Sequence, residues 1–106
     1  MKLQDVREAL GEEGNWTLVP KGWRNLALEL CEAIEKLHPD IEVTQVKEKW
    51  GGLRFYVMQT SDEVFELIDA AEKESEQTCQ SCGSQIDVKQ DYDGGWLKTL
   101  CSKCDE

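Results

Sequence analysis

The chain has 106 residues, enough for one hydrophobic core but small enough for an added staple to matter. Its 40% apolar content and four tryptophans exclude wholesale disorder, and no apolar run has the length of a signal peptide or a membrane span. Twelve Lys and Arg against 22 Asp and Glu give a net charge of -10, so direct nucleic-acid binding is not expected unless a local basic patch escapes the average.

The charge is uneven. Residues 59–78 hold one basic and seven acidic side chains, a net -6, whereas residues 41–58 hold three basic and two acidic, a net +1. The acidic segment can steer a basic partner or simply keep a helix face solvated. Five cysteines, four of them in two C-x-x-C pairs, in a chain without an export signal point to metal rather than disulfides and to a reducing, cytoplasmic compartment.

In chain order, LQDVREAL (3–10) predicts a short helix ended by Gly11, followed by a loop at EEGNW. Pro20 pre-sets φ for a first helical turn, and Trp23, Leu26, Ala27, Leu30, Ile34 and Leu37 recur at spacings of three and four down to His38-Pro39, an amphipathic helix of about 18 residues. Cys31 lies at the edge of that stripe as a small apolar filler, and Leu28 points away from it. IEVTQVKEK (41–49) and LRFYV (53–57) alternate around Gly51-Gly52, a β-hairpin whose turn takes positive φ from the two glycines. The apolar parity slips between Val43 and Val46, which predicts a bulge near Thr44. Thr60 with Glu63 forms a capping box for a second long helix to about Gln77, with Val64, Leu67, Ile68 and Ala71 as its buried stripe.

Cys79-x-x-Cys82 and Cys101-x-x-Cys104 stand 18 residues apart, the spacing of a four-cysteine zinc site. Each pair is a knuckle that aims two sulfurs at one point, and two knuckles complete the tetrahedral thiolate shell that Zn²⁺ accepts. Between them, residues 85–90 and 96–100 predict two short strands joined by DYDGG, the layout of a zinc ribbon. Four cysteines leave no open position for water or substrate, so the expected cofactor is a structural Zn²⁺, with iron as the ion that accepts the same sulfur set. Gly83, after the first knuckle, is placed to turn backbone N–H groups towards the sulfurs. The fold class expected is α+β: two helices packed on a β-hairpin in the order α-β-β-α, followed by a C-terminal zinc ribbon with four cysteine ligands. Residues 1–106 then form a single domain, with 1–78 as the α+β core and 79–104 as the zinc-ribbon subdomain.

No phosphate-binding loop, nucleophile elbow or paired-histidine metalloprotease motif is present, and Glu12-Glu13 are adjacent rather than opposed. His38 sits at a helix end before proline, where an imidazole commonly meets free carbonyls. Glu66, Asp69 and Glu72 either gather a cation or form a solvated face. A non-enzymatic protein is therefore expected. Its candidate partner-binding residues are Glu63, Glu66, Asp69 and Glu72 on the acidic helix, and Trp50, Arg54 and Tyr56 on the hairpin. The hairpin set reads first as an intramolecular brace, with a partner contact as the fallback.

GWRNLALELCEAI, QVKEKWGGLRFYV, AEKESEQTCQSCG and GGWLKTLCSKC together resemble a family of small proteins from phage and bacterial genomes. In that family a K-E-K-aromatic-G-G-L-R-F-Y hairpin precedes a zinc-type cysteine cluster. The likeness covers roughly residues 22–104 and brings no activity with it. By analogy of size, charge and setting it implies a phage-encoded inhibitor of host defence, of the anti-CRISPR type, acting in the cytoplasm of a bacterial host. The expected partner is then a basic nucleic-acid-handling protein such as a CRISPR nuclease, with DNA loading on a Cas9-like effector blocked by the acidic surface. The alternative is a zinc-ribbon adaptor or regulator in a larger complex, contacting nucleic acid through Lys47, Lys49, Arg54, Lys89, Lys98 and Lys103.

Overall fold

A computed structural model describes residues 1–11, 19–93 and 95–105. The loop expected at EEGNW and the Glu12-Glu13 pair lie outside them. The element order is α1 (Leu3–Gly11), a 3₁₀ turn (Lys21–Trp23), α2 (Arg24–Leu37), β1 (Val43–Lys49), β2 (Gly52–Val57), α3 (Asp62–Ser75), β3 (Val88–Asp93) and β4 (Trp96–Cys101). The fold is thus mixed helix and sheet, with three α-helices and two antiparallel hairpins among the described residues. The short first helix stands beside the two long ones, so the pattern α-β-β-α is too simple.

The core collects the apolar stripes of all three helices and the inner face of β1–β2. Leu3 and Val6 of α1, Trp23, Ala27 and Ile34 around α2, Leu53 and Phe55 of β2, and Val64 of α3 are all at most 2% exposed. Cys31 is fully buried among them, as its place on the stripe predicts. Two α2 positions differ. Leu28 is half-buried against the core rather than free, and Leu37, at the end of the helix, is exposed. Two arginines tie α1 to α2: Arg7 Nη1 meets Glu35 Oε2 at 2.8 Å, and Arg24 Nε donates to the carbonyl of Leu10 in the last turn of α1 at 2.5 Å. The pairing holds the Arg7 guanidinium above its ordinary value and the Glu35 carboxyl below.

In the first hairpin the register runs from Lys49↔Gly52 to Gln45↔Tyr56 and then skips a residue before Val43↔Val57. Thr44 is the extra residue, so Val43 and Val46 both face inward despite their odd spacing. The turn differs from expectation. Its positive-φ residues are Trp50 (φ 56°) and Gly51 (φ 74°), a two-residue turn of the I′ kind, and Gly52 is the first residue of β2. A Cβ at Gly52 would stand 3.0 Å from Arg54 Nη1 and 3.5 Å from Glu76 Cγ, so a side chain there asks the end of the Arg54 side chain to shift.

The outer edge of β2 is closed by α3. In a hairpin closed at Lys49↔Gly52, the N–H groups of Leu53 and Phe55 point away from β1. Ser75 Oγ accepts from Leu53 N at 2.8 Å, and Glu72 Oε2 accepts from Phe55 N at 3.1 Å. An edge that would otherwise be open to strand addition is thus covered by side chains. The cap of α3 also differs from the expected one: Ser61, not Thr60, is N-cap, its Oγ accepting from Val64 N. Thr60 Oγ1 instead meets His38 Nδ1 at 2.6 Å, tying the end of α2 to the start of α3, so the His38 ring meets a hydroxyl rather than a carbonyl. The helix stops at Ser75, two residues short of the expected end.

Candidate metal centre

The first knuckle follows α3 after a short connection that the core holds in place. Trp23 Nε1 donates to the carbonyl of Thr78 at 2.8 Å, and Gly22 N donates to the carbonyl of Gln80 at 2.8 Å. The contact at Gly22 is backbone against backbone: a Cβ there would stand 2.1 Å from the Cys79 carbonyl oxygen. Within the knuckle, Gly83 N donates to the Cys79 carbonyl (2.9 Å) and Cys79 N to the Ser84 carbonyl (2.7 Å). The Gly83 N–H itself is committed to that carbonyl, and with Gly83 at φ 84° the backbone N–H groups that turn towards the Cys79 sulfur, as expected of this turn, are those of Ser81 and Cys82.

The second knuckle grows from the end of β4. Cys104 N and Asp105 N both donate to the Cys101 carbonyl, at 3.1 and 3.0 Å, and Ser102 N donates to the Asp87 carbonyl at 3.0 Å. Two hairpin strands bring the knuckles together. β3 and β4 pair from Val88↔Cys101 to Asp93↔Trp96, so Asp91 and Tyr92, expected in the turn, belong to β3, and the strand starts at Val88 rather than Gln85. Thr99 of β4 then locks the first knuckle to the sheet: Gln80 N donates to its carbonyl at 2.8 Å, and its own N–H donates to Gln80 Oε1 at 3.0 Å.

The result is one cluster of sulfurs. The Sγ atoms of Cys79, Cys82, Cys101 and Cys104 all lie within 4.8 Å of one another, close enough to hold a single metal ion. Cys82 Sγ and Cys101 Sγ are 3.6 Å apart. Four sulfurs at about 2.3 Å from a tetrahedral centre are about 3.8 Å from each other, so the cluster is within about 1 Å of the spacing a single ion needs. Cys79 and Cys101 are buried, Cys104 half-buried and Cys82 exposed.

The local field favours anionic sulfur at one position and resists it at another. Burial raises the Cys79 thiol, but N–H groups of Cys101, Cys82 and Ser81 aimed at its sulfur outweigh burial and bring it down to about 6. Cys104, hydrogen-bonded to Cys101 and then Cys82, is pushed up to about 12. Four thiolates this close would repel one another, and a bound metal cation would let all four ionise.

The remaining candidate residues lie elsewhere. Glu63, Glu66 and Asp69 are on the outer face of α3, where Asp69 pairs with Lys73 at 2.9 Å. Glu72 does not share that face, since its carboxylate holds the β2 edge. Among the described residues, Glu66, Asp69 and Glu72 do not converge as a cation-binding set; the four cysteines do. Trp50 is 61% exposed at the hairpin tip and Tyr56 41% exposed on its outer face, while Arg54 is half-buried with Nη1 on the Leu53 carbonyl at 3.0 Å.

The turn that carries Trp50 is also a brace. The Gly51 carbonyl accepts from Thr99 Oγ1 and, at 3.2 Å, from Gln90 Nε2, which joins the tip of the first hairpin to the face of the second. Sequence reasoning missed the parts played by Gly22, Gln80, Gln90 and Thr99, and no spacing rule marks them. No family model, no curated protein and no solved structure matches the chain. No helix among the described residues is long and apolar enough to cross a membrane.

Proposed function

We propose that the chain is a non-enzymatic protein-binding module whose C-terminal hairpin is a zinc ribbon, with Zn²⁺ held as a structural ion by Cys79, Cys82, Cys101 and Cys104. The observation that carries this reading is what the hairpin lacks. Among the described residues from 79 onward, only Cys79, Thr99 and Cys101 are buried, whereas every residue of the apolar core cluster comes from the first 71 positions. A two-stranded hairpin is marginal by itself, and this one has a thiolate cluster where a core would be. Binding of structural zinc contributes on the order of 10 kcal/mol, more than enough to hold such a segment. A shell filled by four thiolates gives substrate no place on the metal, so the ion supplies shape.

The binding surface in this reading is the outer face of α3, with Glu63, Glu66 and Asp69 directed at a basic partner. Its most specific form is a phage-encoded inhibitor of a host defence nuclease, in which the acidic helix competes for the Lys and Arg lining that holds nucleic-acid phosphates and so hinders DNA loading. The test is affinity capture of a CRISPR nuclease by the zinc-loaded protein, followed by charge reversal of Glu63, Glu66 and Asp69 to Lys. Glu72 is excluded from the reversal because it would open the β2 edge. A loss of affinity of about tenfold or more supports the docking face; unchanged affinity in the reversed protein removes it.

A further inference from the structure

The first hairpin sorts its charges by face. Glu48, opposite Leu53, lies on the inner side, and its Oε2 accepts from Gly51 N at 3.0 Å. Lys47 and Lys49, with Arg54 opposite Lys47 and Tyr56 opposite Gln45, lie on the outer side. No acidic side chain shares that face within the paired strands, and among the described residues none of Lys47, Lys49 and Arg54 forms an ion pair. In a protein of net charge -10 this is a local cationic strip. Lys47 stands over the Tyr56 ring, 5.9 Å from its centroid, and Tyr56 is 41% exposed.

The strip runs into a cleft. Between the tips of the two hairpins is a space of about 270 Å³ lined by Glu48, Lys49, Trp50, Gly95 and Leu97. Trp50 stands at its rim, 61% exposed and with φ at 56°. A left-handed backbone is unfavourable for a bulky residue, and asparagine or glycine would hold the same turn without that strain. Trp50 thus presents its indole to solvent beside the cleft, an open face on which a planar ring can stack.

We propose that the outer face of β1–β2 and the adjoining cleft bind single-stranded nucleic acid, with one base stacked on Trp50 and successive phosphates on Lys49, Lys47 and Arg54. Lys47 and Lys49 are alternate residues of one strand, about 6.8 Å apart, the kind of interval that separates consecutive phosphates on an extended single strand, and Arg54 adds a third cation across the strand pair from Lys47. The aromatic edge argues for a nucleic acid over an acidic protein segment, since a string of carboxylates has no use for an exposed indole. This surface is separate from the acidic face of α3 and does not depend on it. It also leaves out Lys89 and Lys98, which share a face of the second hairpin with Asp91.

The test is fluorescence anisotropy of the zinc-loaded full chain with a short labelled oligothymidylate at low and physiological salt. Three phosphate contacts give a slope of log affinity against log salt of about -2. Trp50→Asn, which suits the left-handed turn, is expected to weaken binding about tenfold or more at either salt. The double variant Lys47→Gln, Lys49→Gln is expected to flatten the slope towards about -1 or less. Lys89→Gln should leave both unchanged. No binding at low salt overturns the proposal, as does full affinity in Trp50→Asn. Equal affinity for a duplex of the same length, or for polyglutamate, also overturns it, because either would mean that charge alone is being read.

Discussion

Replacing Gly22 by Ala probes the joint between the core and the metal knuckle. The added Cβ would sit 2.1 Å from the Cys79 carbonyl oxygen, 2.6 Å from the Gln80 carbonyl carbon and 2.8 Å from its oxygen. These are backbone atoms, so relief requires the knuckle to move away, and the Gly22 to Gln80 hydrogen bond at 2.8 Å goes with it. Overpacking costs up to about 3 kcal/mol, and here the upper end applies because no side chain can yield. Alanine returns about 0.5–1 kcal/mol in a helical turn, leaving a net loss of about 2 kcal/mol. For a chain of this size that is a fall in Tm of roughly 10 °C. Thermal unfolding followed by circular dichroism at fixed excess zinc gives the shift, and competition with a chromogenic chelator gives the metal affinity, which should weaken as well. A Gly22→Ala protein that melts within roughly 2 °C of the parent and holds zinc as tightly would refute the claim that this contact seats the knuckle.

Glu72→Ala and Glu66→Ala separate the two acidic roles on α3. The first removes the acceptor for Phe55 N and should cost about 1.5–2 kcal/mol in chemical denaturation, while the second should stay within about 0.5 kcal/mol. Thr99→Val removes the hydroxyl that bonds the Gly51 carbonyl, so amide exchange should quicken at the tip of the first hairpin and along the facing strands of the second, with the helices unaffected. Burial pushes the Cys31 thiol up from 9.0 to about 11. A raised pKa in the folded state means that this contribution is fully present below the ordinary thiol value and is lost as pH rises through the folded one. The loss approaches roughly 3 kcal/mol. Denaturation midpoints of the parent and of Cys31→Val, compared from mildly to strongly alkaline pH, should change their separation, because valine lacks the titration; a constant gap would contradict it.

Much of the architecture is legible in the chain's own pattern. The stripe of α2, the hairpin at 43–57 and the bulge at Thr44 all follow from apolar period, and the C-x-x-C spacing marks the four sulfurs that the fold brings together. What escapes that pattern depends on which of two neighbours takes a role. Thr60 and Ser61 are both hydroxyl residues able to cap α3, and His38 decides between them by engaging Thr60. The left-handed turn positions fall to Trp50 and Gly51, one residue earlier than the glycine pair suggests, because the strands close at Lys49↔Gly52. Glu72 reads as one more surface acid until the β2 edge is placed beside it. Such choices are made by contacts distant in sequence, which local pattern does not carry.

In the proposed reading, one ion on four thiolates holds the C-terminal hairpin in shape. Hydrogen exchange on the purified, metal-analysed protein, before and after chelation, tests it most directly. One zinc per chain is expected and, on its removal, loss of protection confined mainly to residues 79–105 with the helices retained. Protein that carries no stoichiometric ion, or a hairpin equally protected after chelation, would contradict it.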